Sequence, residues 1–256
     1  MSSIPEAFQL DGQVALVTGA SFGLGYSMAA GLAEAGSDII AVSRSIENLA
    51  NIGQTVRQMG RACLPIACHV GDRTQVKAMV AHALDRFGRI DILVNNAGII
   101  RRTQATEFSE ADWQDVLDVN LNGVWYCCQE VGRGMVDRKH GKIINIGSVL
   151  SYQGGVTVPS YAASKGALAQ LTQALANEWA SLGVNVNGIA PGYCVTDNTD
   201  ALRNDPERAQ AILARIPAAR WGLPEDLKGA VVFLASRASD YVHGHLLVVD
   251  GGWLGR

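Results

Sequence analysis

The chain predicts an α/β fold: a single domain built on one doubly wound parallel sheet of about seven strands, with helices on both faces. Three observations carry this. Short apolar runs alternate with longer segments of helical period. The runs are continuously apolar rather than alternating, as strands covered on both faces are. No Pro/Gly/Ser-rich linker, repeat or low-complexity tract divides the 256 residues, so one domain is expected.

The elements follow in order. The first strand is expected at 14–18, and a glycine-rich turn hands it to a helix at 23–35. A strand at 38–43 and a helix at 46–59 come next, then a strand at 63–67. Asp72 stands two positions before Thr74, where it would cap a helix over 73–87. The strand at 92–95 precedes a long helical pattern over 110–136. Strands at 142–147 and 185–190 flank a helix over 160–181. Helices at 206–215 and 224–235 lead to a last strand at 245–249. Crossovers between these strands should be right-handed. The polar stretch 193–223 begins after Pro191-Gly192. Long excursions of that kind are often lids over active sites, so a substrate lid is expected there.

Bulk properties exclude several classes of function. With 48% hydrophobic and 18% charged residues, the chain can fill a compact core and does not read as disordered. A net charge of −3, with no basic run longer than Arg101-Arg102, gives no footprint for nucleic acid or an anionic membrane. No apolar stretch approaches the ~20 residues of a membrane span, and the first ten residues are not a signal peptide. The five cysteines form no CxxC pair, so reduced thiols, a cytoplasmic location and no metal site are expected.

The first turn reads Thr18-Gly19-Ala20-Ser21-Phe22-Gly23-Leu24-Gly25. Glycines between a strand and a helix permit close backbone approach to a pyrophosphate, and the free N–H groups of the helix start bind its charge. This predicts a Rossmann-type dinucleotide site, although the spacing is GxxxGxG rather than GxGxxG. At the end of the second strand an acid favours NAD and a basic residue NADP. Ser43 and Arg44 stand there without an acid, so NADP(H) is favoured. The alternative is that Arg44 is solvated or stacks on adenine and the cofactor is NAD(H). Phe22, where a second cation would have strengthened a phosphate site, leans that way.

Tyr161 and Lys165 stand four residues apart and share one face of a helix. Ser148 lies thirteen residues earlier, at the end of an apolar run. A cation about 4 Å from a phenol contributes ~4 kcal/mol at an effective dielectric of ~20, enough to lower its pKa of ~10 by roughly three units. Such a tyrosine exchanges protons near working pH. An isolated pair of this spacing is more often a half-buried aromatic beside a snorkelling lysine; the rest of the chain decides.

With the glycine turn, Ser148 and the Tyr161/Lys165 pair, together with Asn95-Asn96-Ala97-Gly98, Asn120, Pro191-Gly192 followed by Thr196, and Val249-Asp250-Gly251-Gly252, the chain resembles the short-chain dehydrogenase/reductases over nearly its whole length. The resemblance implies that Tyr161 is the general acid or base, that Lys165 depresses its pKa and bonds the nicotinamide ribose, and that Ser148 holds the substrate oxygen. Asn120 would hold a water linking Lys165 to solvent; its other reading is a helix-bend residue satisfying backbone groups. Asn96, Ala97 and Gly98 would pack behind the cofactor, and Pro191, Gly192 and Thr196 would contact the nicotinamide end. One departure is His69-Val70, where many members place an aspartate against adenine. His69 either faces the adenine or is a solvated loop residue.

A finer resemblance, in Ile99-Ile100-Arg101-Arg102, 150–155, 158–161, 177–180, 216–222 and 250–254, is to the members that act on deoxy sugar acids, the 2-deoxy-D-gluconate 3-dehydrogenases, also described as 2-dehydro-3-deoxy-D-gluconate 5-dehydrogenases. It implies oxidation of a secondary hydroxyl to a ketone, or the reverse. A carboxylate partner is then needed, and a guanidinium offers paired donors. Arg101, Arg102 and Arg220 are candidates, each with a surface or loop-anchor alternative. Gln153, Tyr193, Asn198 and Thr199 are candidate hydroxyl partners. The competing readings are a gluconate 5-dehydrogenase, a 3-oxoacyl-thioester reductase, and a non-catalytic dinucleotide-sensing scaffold. The resemblance also implies a homotetramer; the charge and composition already argue for no nucleic-acid or membrane partner.

Overall fold

The computed structural model describes residues 3–256. Its elements, in chain order, are α1 (Ile4–Ala7), β1 (Val14–Thr18), α2 (Gly23–Glu34), β2 (Asp38–Ser43), α3 (Ala50–Gln58), β3 (Cys63–Ala67), α4 (Arg73–Phe87), β4 (Ile92–Asn95), α5 (Glu110–Leu117), α6 (Gly123–Arg138), β5 (Gly141–Ile146), α7 (Pro159–Trp179), β6 (Val184–Pro191), α8 (Asp200–Arg203), α9 (Pro206–Arg215), α10 (Lys228–Ala235) and β7 (Leu246–Val249).

The seven strands form one sheet in the order β3-β2-β1-β4-β5-β6-β7, and every pairing is parallel. The strand order reverses between β1 and β4, so a crevice opens at their carboxyl ends, where open α/β sheets bind ligands. Strands β1, β4, β5 and β6 are buried along their whole length, which accounts for their mostly apolar sequence; their buried polar side chains Asn95, Lys142, Asn145, Asn185 and Asn187 are hydrogen-bonded. The edge strands β3 and β7 are only partly buried.

Alternate side chains of each strand serve two cores, as the two-residue period requires. On one face Ala15, Val17, Ile39, Ala41, Ile92 and Val94 meet α2, α3 and α10 through Met28, Leu32, Ile52, Val56, Val231 and Leu234. On the other, Leu16, Ile40, Val42, Leu93 and Ile143 meet α4, α6 and α7 through Val76, Met79, Cys127, Val131, Leu168 and Leu175. Fully burying one such side chain stabilises the fold by about 1.5–3 kcal/mol before entropy is counted.

The expected elements are present, with three differences. The helical pattern over 110–136 is not one helix: a π turn at Asp118–Asn122 separates α5 from α6. Its extra residue lets the Asn120 side chain leave the ladder for the backbone of Ile99, with Oδ1 accepting from Ile99 N at 2.8 Å and Nδ2 donating to Ile99 O at 2.9 Å. The stretch 193–223 carries more regular structure than its polarity suggests. It holds α8 and α9, and its two ends are tied together by Val195 N to Gly222 O at 2.8 Å and Gly222 N to Tyr193 O at 2.9 Å. A small separate core of Val149, Ile212, Ile216 and Trp253 holds it to the body. Finally, α1 was not expected, although its capping box of Ser3 and Glu6 with Pro5 in the first turn is written in the sequence. Asp72 does cap α4, accepting from Thr74 N and Gln75 N. No helix among the described residues is long and apolar enough to cross a membrane.

Candidate active site

One cleft of about 1090 Å³ runs along the carboxyl ends of β1, β2, β4, β5 and β6. Every residue that the sequence assigned to cofactor binding lines it: Gly19, Ser21, Phe22, Gly23, Leu24, Gly25, Ser43, Arg44, His69, Val70, Asn96, Ala97, Gly98, Tyr161, Lys165, Pro191, Gly192 and Thr196. Asn48, Gly71 and Asp72 line it too and were not foreseen, since nothing local marks them.

The cleft fits a dinucleotide on structural grounds. The N-cap of α2 is Phe22, whose side chain caps nothing, so the N–H groups of the first turn are left for an anion. A second staple shapes the turn: Asn96 Nδ2 donates to the carbonyls of Thr18 and Gly19, each at 3.0 Å, while Thr18 Oγ1 accepts from Asn96 N and Ala97 N. Gly25 lies so close beneath this staple that a Cβ there would collide with the Gly19 carbonyl and the Asn96 amide. Gly19 itself has φ +66, the left-handed region where glycine carries no penalty. At the far end, Arg44 is exposed at the cleft rim and the Ser43 hydroxyl bonds the Ser45 carbonyl. His69 is exposed on the same rim.

At the other end stand Ser148, Tyr161 and Lys165. Ser148 lies two residues past β5 in an extended conformation and its Oγ accepts from Leu150 N at 3.1 Å. Tyr161 opens α7 just after Pro159. Lys165, one turn on, is 5% exposed; its Nζ donates to Ile146 O at 2.6 Å and lies 5.6 Å from the centre of the Tyr161 ring. Burial lowers its pKa to about 8. The resemblance gave Lys165 the part of lowering the Tyr161 pKa; the groups acting on the phenol in this structure are others. Burial raises the phenol pKa above its ordinary value, and the groups opposing that rise are the Ser148 hydroxyl and the Arg102 charge. The ammonium is turned to Ile146 O, with the ring rather than the hydroxyl beneath it.

The Asn120 side chain, fully buried, bonds the Ile99 backbone and donates to Ser164 Oγ at 3.3 Å. It fixes the chain after the Asn95–Gly98 segment and does not line the cleft, which agrees with its helix-bend reading.

The three candidate arginines separate clearly. Arg101 pairs with Asp112 at 3.1 Å and Asp115 at 3.6 Å. Arg220 forms a two-pronged pair with Asp226 at 2.6 and 2.9 Å, which anchors the end of the 193–223 excursion. Arg102 has no carboxylate partner among the described residues; its guanidinium donates to Asn198 O at 3.1 Å and reaches a side cavity of about 110 Å³ that also contains Ser148, Tyr161, Tyr193, Thr199 and Arg208. The Thr199 hydroxyl is already donated to Cys194 O at 2.7 Å. Tyr193 packs on Trp253, ring centres 4.6 Å apart. Gln153 lies outside both cavities. Arg208 was missed, though Ile212 one turn later is a core residue and marks the inward face of α9.

Known proteins with this arrangement settle the family. The model of the short chain dehydrogenases matches residues 13–207. The chain belongs to the short-chain dehydrogenase family. A 2-dehydro-3-deoxy-D-gluconate 5-dehydrogenase of Dickeya dadantii is 53% identical, over 99% of this chain and all of the relative. Among solved structures, one described as a 2-deoxy-D-gluconate 3-dehydrogenase of Agrobacterium tumefaciens, with bound NADP, superposes with a TM-score of 0.91 at 48% identity, covering 98% of this chain and 99% of the other. A gluconate 5-dehydrogenase of Burkholderia cenocepacia in complex with NADP and tartrate gives 0.96 at 43% identity, covering 99% and 100%. As a member of this family, the chain is an oxidoreductase acting on hydroxyl groups.

Proposed function

We propose that this short-chain dehydrogenase interconverts a secondary hydroxyl and a ketone on a deoxy sugar acid, of the 2-deoxy-D-gluconate or 2-dehydro-3-deoxy-D-gluconate type. The observation that carries the reading is the side cavity in which Ser148, Tyr161 and an arginine free of carboxylate partners, Arg102, meet beside the dinucleotide cleft. A proton-transfer group and a cation for a carboxylate then lie within one small ligand's reach. The relatives' activities, as named above, support the same substrate class.

NADP(H) is the preferred cofactor in this reading and NAD(H) the alternative. Support comes from Arg44 at the cleft rim, beside the end of β2 where an acid would select NAD, and from the NADP held by the two related structures. A bound nicotinamide supplies or accepts the hydride. Tyr161 gives its phenolic proton to the oxygen that becomes a hydroxyl, or takes that proton in oxidation. The Ser148 hydroxyl holds the same oxygen and stabilises charge developing on it. Lys165 would hold the nicotinamide ribose, turning from Ile146 O toward the site. Arg102 offers paired donors to the carboxylate. The 193–223 excursion serves as the substrate lid. The enzyme works in the cytoplasm as a homotetramer; its free cysteines fit a reducing compartment.

A second reading, oxidation at C5 of gluconate, is favoured by the resemblance to the Burkholderia enzyme. Steady-state rates on 2-deoxy-D-gluconate, 2-dehydro-3-deoxy-D-gluconate, D-gluconate and a 3-oxoacyl thioester, each with NADP(H) and NAD(H), separate the readings. The highest kcat/KM is expected on a deoxy sugar acid with NADP(H). Activity confined to the thioester would contradict the proposal.

A further inference from the structure

Arg208 lies on the helix α9, within the excursion that covers the substrate end, and enters the same side cavity as Arg102. Other arginines nearby are occupied: Arg101 by Asp112 and Asp115, Arg203 by Asp200, Arg220 by Asp226. Arg102 and Arg208 have no carboxylate partner among the described residues, so the cavity wall carries two uncompensated positive charges within reach of Ser148 and Tyr161. The apolar remainder of that wall, Val149, Leu150 and Val158, cannot balance them. Partial burial is the main cause that lowers the pKa of Arg102; the Tyr193 and Tyr161 hydroxyls oppose it, and the Arg208 charge adds a smaller lowering. Both side chains are exposed in the open site, where water screens their repulsion; once a ligand excludes that water, the two like charges are relieved only by an anion between them.

We propose that Arg208 is a specificity-determining residue that completes, with Arg102, a two-guanidinium receptor for the substrate carboxylate. The inference rests on the sugar-acid reading and deepens it. Arg102 is carried by the body of the domain, in the segment after β4, and Arg208 by the excursion. A carboxylate held between them ties the excursion to the body, so the acid group both selects the substrate and closes the site. A neutral polyol ketone would leave the two charges facing each other and be rejected, which is discrimination by an unrelieved repulsion as well as by a missing bond.

The test compares D-gluconate with its uncharged amide, D-gluconamide, binding to the NADP⁺-loaded protein by titration calorimetry, for wild type, Arg208→Ala and Arg208→Lys. A hydrogen bond to a charged group contributes about 1.5–3 kcal/mol, and 1.4 kcal/mol is tenfold, so Arg208→Ala should weaken D-gluconate by about tenfold or more. D-gluconamide should change by less than about twofold, with Tm and NADP⁺ affinity unaltered. Arg208→Lys should recover part of the loss, since it keeps charge but not the fork. Equal weakening of acid and amide, an unchanged D-gluconate affinity, or no preference of the wild type for the acid would each overturn the inference. Turnover of sugar acids by the wild type in the same preparations keeps the proposed function intact when that happens; a wild type that turns over only neutral ketones defeats the function itself.

Discussion

At Lys165 the fold buries an ammonium whose one protein partner is the Ile146 carbonyl at 2.6 Å, and burial alone brings its pKa to about 8. An unfolded lysine titrates near ~10.4. Between those values the unfolded chain holds more protons, so stability rises with pH there, while below about pH 8 the penalty is fully present. Lys165→Met should therefore be more stable than wild type at pH 7, by up to about 3 kcal/mol, and should lose the rise in stability between about pH 8 and 10. Chemical denaturation across pH reads both, and a variant less stable at pH 7 would show that the ammonium is not held at a cost. Activity should vanish in the same variant, the usual trade between stability and function at a site. The Tyr161 phenol belongs to the same balance. Its proximity to Lys165 was legible in a four-residue spacing, but the direction of the ammonium was not, because Ile146 enters from a strand fifteen residues before Tyr161 in sequence.

Among the elements, the turn from β1 to α2 depends on packing that no single stretch of sequence records. The glycine pattern announces a close approach, but what approaches Gly25 is the Gly19 carbonyl and the Asn96 amide from the end of β4. Gly25→Ala should push the Gly19 carbonyl out of the turn and weaken NADP(H) binding by at least about tenfold, at a stability cost in the usual overpacking range of about 1–3 kcal/mol. Fluorescence titration with NADPH and a melting curve would measure the two effects; unchanged affinity would mean that the staple does not shape the cradle. The strands were readable because β1, β4, β5 and β6 are buried on both faces and so are rich in apolar residues, with only a few buried polar side chains such as Asn145 and Asn187. The π turn in the middle of 110–136 was hidden, since its cause is Asn120 reaching Ile99, a contact between segments 21 residues apart. The excursion at 193–223 read as irregular because its helices bury little: α8 contributes no buried residue and α9 only Ile212.

Over the whole molecule, the reversal of strand order between β1 and β4 decides where everything else goes. It opens one cleft, and residues from 19 to 196 that the sequence had grouped by motif line it together. Motifs of the cofactor half were legible because phosphate binding needs particular backbone shapes at fixed offsets. The substrate half was less so. Three arginines looked alike in sequence, and only the fold shows that Arg101 and Arg220 are bound by aspartates while Arg102 is not. Arg208 carries no local mark at all beyond its place one turn before Ile212. What unites both halves is the claim that Tyr161 moves the proton while the cofactor carries the hydride. The direct measurement is the initial rate of NADP⁺ reduction with a deoxy sugar acid for wild type and Tyr161→Phe, alongside NADP⁺ binding by each. Loss of the phenolic proton should lower kcat by about 10²–10⁴-fold with cofactor affinity unchanged; a Tyr161→Phe enzyme within tenfold of wild type would contradict the account.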